Sequence, residues 1–120
     1  MPLGEMEKDG LFFAHDSPRE SQIAMISDGV KVLRDGGFLL ASAPTGIGKT
    51  AAALASALSV ANLYSTSSET PKILFLTGRQ SQHRIVVDTI REINKRIPEG
   101  FSKVKLVDII GREGMCKIVD

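Results

Sequence analysis

The segment Ala43-Pro44-Thr45-Gly46-Ile47-Gly48-Lys49-Thr50 constrains the fold of this chain more than any other feature. It lies between a short apolar run, Phe38-Leu39-Leu40-Ala41, and an Ala/Leu-rich stretch over residues 49–64. Glycines at 46 and 48 let consecutive backbone N–H groups close around an anion. A helix opening on Lys49 points its positive end at the same place. The pattern matches a phosphate-binding loop, with Ala43 standing where the first glycine is usual. In that geometry Thr45, Gly46, Ile47 and Gly48 form the cradle, Lys49 reaches the β- and γ-phosphates, and the Thr50 hydroxyl holds Mg²⁺. Lys49 and Thr50 are therefore the candidate catalytic residues.

The flanking sequence alternates in type. Ser17-Pro18-Arg19-Glu20 predicts a helix start, with Ser17 as cap, Pro18 in the first turn and Glu20 as the capping-box carboxylate. Ile23, Ile26, Val30 and Leu33 follow at helical spacing until Gly36-Gly37 stops them. The Ala/Leu stretch predicts a second helix. Ile85, Val86, Ile90, Ile93 and Ile97 mark a third, ended by Pro98 and Gly100. Three apolar runs, residues 38–41, 73–76 and 104–110, predict strands buried on both faces. Strands separated by crossover helices pair in parallel. The expectation is an α/β three-layer sandwich of the P-loop NTPase type, RecA-like, with a mostly parallel sheet that is incomplete at three strands. Residues 1–16 form a lead-in whose Leu11, Phe12 and Phe13 could dock on the core.

Composition narrows the class. Hydrophobic residues make up 42% and charged residues 24%, which excludes disordered and collagenous chains. One cysteine allows no internal disulfide and points to a reducing compartment, cytoplasmic or nuclear. The early charges Glu5, Glu7, Lys8 and Asp9 argue against a signal peptide, and no apolar run approaches membrane-spanning length. The net charge of +1 is unevenly spread. Residues 72–105 carry eight basic side chains against three acidic ones, an excess that could attract phosphate backbones or simply solvate a helix face.

Further segments flank the loop at characteristic distances: Arg19-Glu20-Ser21-Gln22 before it, Leu76-Thr77-Gly78-Arg79-Gln80-Ser81-Gln82 after it, and Gly111-Arg112-Glu113-Gly114-Met115-Cys116 near the end. Together with the loop, these resemble the XPD family of superfamily 2 DNA helicases, related to the bacterial DinG helicases. The resemblance runs from Arg19 to Cys116. Gly78 and Gln80 depart from the family's commoner residues. The resemblance implies that residues 17–111 form the N-terminal part of a first motor domain and that residues 112–120 begin an iron–sulfur domain. It further implies ATP-driven 5′–3′ translocation on single-stranded DNA, with unwinding of forked duplex by a monomer, in DNA repair or transcription. Arg19 and Gln22 would face the adenine end, and Thr77, Arg79 and Gln82 the DNA backbone. Cys116 would be the first of four thiolates on a [4Fe–4S] cluster in the intact protein.

Two other classes stay open on the residues alone. One is a P-loop ATPase or kinase acting on a small molecule, and the other a nucleotide-binding module without catalysis. The 120 residues hold no Asp-Glu-Ala-His segment, and Asp108 is followed by Ile109 rather than Glu. His15 and His83 lack metal-ligand spacing and are expected to face solvent.

Overall fold

The computed structural model describes residues 12–43, 48–100 and 102–109. Its regular elements are three helices: α1 (Glu20–Asp35), α2 (Lys49–Leu63) and α3 (Gln80–Arg96). Each matches an expected helix, and the periodicity explains why. On α1, Ile26 and Val30 are buried one turn apart, and Ile23 is half-buried. On α3, Val86, Ile90 and Ile93 repeat at helical spacing, with Ile97 buried just beyond the helix end. Burying such a side chain is worth roughly 1.5–3 kcal/mol. The small residues of α2 let a neighbour approach closely. α1 packs along it, and a methyl group on Gly29 would sit 2.8 Å from Ser56 Oγ. α3 meets α2 over a shorter contact.

The helix ends show local chemistry. The N-cap of α1 is Arg19 rather than Ser17, and its capping-box residue is Gln22, not Glu20. The Arg19 backbone N–H donates to Gln22 Oε1 at 2.9 Å. Gly36 closes the helix in a left-handed conformation, φ 77°, as a C-terminal glycine does. Of the lead-in residues expected to dock, Phe13 is buried in the core with Ala14 and Phe12 packs against it, while Leu11 lies outside the described residues. Asp16 pairs with Arg96 at 3.3 Å and fastens the lead-in to the far end of α3.

The expected α/β sandwich is not formed. Among the described residues there is no strand and no sheet, so the RecA-like parallel arrangement is overturned in favour of an all-helical set of elements. No backbone–backbone hydrogen bond joins residues 38–41, 73–76 and 102–109 to one another among the described residues. The apolar runs are real, but their side chains stay exposed and differ only in degree, apart from a half-buried Val104. Leu39 is 44% exposed while its neighbours Phe38 and Leu40 are 101% and 99% exposed. Ile73 and Phe75 are likewise better covered than Leu74 and Leu76. An apolar tetrad signals an extended, partly covered backbone, whereas a sheet also needs non-local partners that periodicity does not specify.

Candidate functional site

Thr45, Gly46 and Ile47 lie outside the described residues, as does Cys116; the two sides of the loop are described. Gly48 caps the N-terminus of α2 with φ 78° and ψ 48°, a left-handed backbone that suits glycine. Its carbonyl accepts the Ala52 N–H at 3.2 Å, which starts the helix ladder. No acidic residue occupies the first turn of α2, so the positive end of the helix is not offset from within. Lys49 is exposed, and its Nζ donates to the Ala43 carbonyl at 3.1 Å. The ammonium is thus held against the last described residue before the loop. Thr50 is half-buried beside it.

Gln22 belongs to this group by contact. It is only 4% exposed, and its Nε2 donates to the Gly48 carbonyl at 3.2 Å while its Oε1 accepts the Arg19 N–H. One amide side chain therefore ties the start of α1 to the exit of the loop. The Cβ of any larger residue at 48 would collide with Gln22 Nε2, a second and independent reason for glycine there. Gln22 stands three residues after Arg19, the spacing of a capping box, and that signal could have shown its local role. The contact to Gly48 spans 26 residues and has no local signature.

A second group forms at the start of α3. Arg79 is the N-cap, and its carbonyl accepts the N–H of Gln82 at 3.1 Å and of His83 at 3.4 Å. The Thr77 hydroxyl reaches the same oxygen at a long 3.5 Å. The three expected backbone-contacting residues thus share one turn, with Arg79 and Gln82 exposed and Thr77 half-buried. The basic excess of this region divides along α3. Towards its C-terminus, Arg91 pairs with Asp88, Lys95 with Glu92, and Arg96 with Glu92 and Asp16. Near its N-terminus, Arg79 and Arg84 have no ion-pair partner among the described residues.

Charge pairing moves two proton affinities. Hydrogen bonds from Lys95 and then Arg96 hold the Glu92 carboxyl below the usual carboxylate range. The hydrogen bond to Glu92 raises Arg96 further above its ordinary value. His83, expected in solvent, is half-buried instead, with Nδ1 2.8 Å from Asp108 Oδ1. No group of three or more His, Cys, Asp or Glu that could hold a metal occurs among the described residues. None of the described helices is long and apolar enough to cross a membrane. Comparison with known proteins gives no match to a family model, to a curated protein or to a solved structure.

Proposed function

We propose that this chain binds the phosphates of ATP with Mg²⁺ at the start of α2. It would supply the nucleotide-binding part of an ATP-dependent helicase that moves 5′ to 3′ along single-stranded DNA and unwinds forked duplex. The observation that carries the first half is the pairing of a left-handed Gly48 with Lys49, whose ammonium rests on the Ala43 carbonyl. A left-handed glycine at a helix N-terminus with an exposed lysine beside it suits a polyphosphate. Lys49 would exchange the carbonyl for phosphate oxygens, and Thr50 would turn its hydroxyl to the metal. Bound Mg²⁺ would neutralise charge on the β- and γ-oxygens. Gln22, occupied on both sides, would hold the loop exit in place, leaving the exposed Arg19 nearer the adenine.

The DNA half rests on the resemblance of the flanking segments, and is supported by the turn that gathers Thr77, Arg79 and Gln82 beside cations without carboxylate partners among the described residues. Cys116 as an iron–sulfur ligand stays part of the proposal for the intact protein. Nothing among the described residues fits a four-iron group, and no step is derived through it. A nucleotide-binding module without catalysis is the second reading. It is favoured by Asp108, the only acidic residue in its apolar run, being engaged by His83 rather than available to a metal.

Titration with ATP–Mg²⁺ tests the nucleotide site. Lys49→Ala should weaken binding by at least tenfold, since a charge-assisted hydrogen bond is worth about 1.5–3 kcal/mol. Equal affinity in the two proteins would overturn the assignment.

A further inference from the structure

Residues 102–109 lie along α3, tied to it by side-chain hydrogen bonds and by Val104 packing against the core. Asn94 makes a reciprocal pair with the backbone of Val104: its Nδ2 donates to the carbonyl at 3.0 Å and its Oδ1 accepts the N–H at 2.7 Å. Lys103 Nζ adds a bond to the Asn94 carbonyl at 3.1 Å. Those contacts fasten the beginning of the segment. Its far end is fastened by one pair, His83 Nδ1 and Asp108 Oδ1, 2.8 Å apart across 25 residues of sequence.

An ionised carboxylate only accepts, so Nδ1 carries the proton and donates. That bond fixes the plane of the imidazole, and with it the first turn of α3, because the His83 N–H donates to the Arg79 carbonyl. The same carbonyl receives Gln82 N–H and the Thr77 hydroxyl. Among the described residues, few other side-chain contacts hold the turn. Arg79 makes no side-chain cap bond, and Gln80, Ser81 and Gln82 are exposed. An uncapped helix start frays.

The geometry points to His83 and Asp108 as positioning residues for the nucleic-acid edge. By tying the turn to residues 102–109, they hold Arg79 and Gln82 in the orientation that meets a phosphate backbone. The inference rests on the reading of Thr77, Arg79 and Gln82 as that edge.

Binding of fluorescein-labelled oligo-dT to the 120-residue chain, followed by anisotropy across a salt series, tests it. His83→Ala and Asp108→Ala should each weaken binding about threefold to tenfold, the worth of an ordinary hydrogen bond acting through the turn it holds. Each should also lower the log–log salt slope by about 0.7, the value of one lost phosphate contact, as Arg79→Ala does. The double variant should be no weaker than either single one. His83→Asn, whose amide nitrogen stands in for Nδ1, should restore most of the loss. ATP affinity should be unchanged in all of them, which shows that the fold persists. If either alanine variant loses ATP binding, His83→Asn and His83→Phe decide: weakened DNA binding in the latter with rescue in the former supports the inference, and wild-type affinity in both overturns it. Wild-type DNA affinity in His83→Ala or in Asp108→Ala, with Arg79→Ala impaired, overturns the positioning role and leaves the edge intact. An unaffected Arg79→Ala overturns the edge and the positioning role together.

Discussion

A methyl group on Gly48 would meet two obstacles at once. Its backbone is left-handed, which costs an L-residue roughly 1–2 kcal/mol. The added Cβ would also drive Gln22 Nε2 off the Gly48 carbonyl and break a bond worth about 1 kcal/mol. Gly36→Ala is the control, because that glycine has a similar φ with open space around it. Gly48→Ala should lower unfolding stability in urea by about 1 kcal/mol more than Gly36→Ala does, with unchanged m. ATP affinity should fall only in the former. Equal stability losses would show that Gln22 does not clamp the loop. The sequence pointed to Gly48 as a phosphate-loop glycine, and its neighbour across space was hidden. Gln22 was expected at the adenine end, and its bond to Gly48 shows only once α1 is laid against α2.

At the scale of an element, α3 has two electrical halves. Glu92 serves two cations, and its carboxyl is held below the usual range. Between that depressed folded value and the ordinary unfolded value, 4.5, the unfolded chain binds the extra proton. Stability therefore rises with pH across this window and is level above it. Thermal melts of wild type and Glu92→Gln should differ by a constant amount near neutrality. The gap should close as pH falls below about 4.5 through the folded value. A gap that persists at lower pH would mean the pairs contribute nothing. Helices were legible from the chain because their pattern is local: Val86, Ile90 and Ile93 state their own face. The runs at 38–41 and 73–76 announce an extended backbone in the same local way. Their neighbours are chosen over dozens of residues, and alternation alone says nothing of who those neighbours are. The bond between His83 and Asp108 was hidden for the same reason, since neither residue carries a spacing signal.

For the whole molecule, the proposed activity asks for more than these residues provide. Phosphoryl transfer needs an oriented water and a cation on the developing charge, and an arginine finger alone is worth about 10³–10⁵ in rate. The 120-residue chain should bind ATP yet show no hydrolysis stimulated by single-stranded DNA and no strand separation. A coupled phosphate-release assay with and without oligo-dT checks this, and stimulated turnover would refute it. Phe38, Leu40, Leu74, Leu76, Val107 and Ile109 each keep most of their surface in water. Among the described residues, no backbone–backbone hydrogen bond occupies the runs at 38–41 and 73–76, which leaves them able to pair with an extended chain. Dissolved by itself, such a molecule should behave as a surfactant, collecting at air–water boundaries and on plastic and staying in solution better with detergent or arginine than by dilution alone.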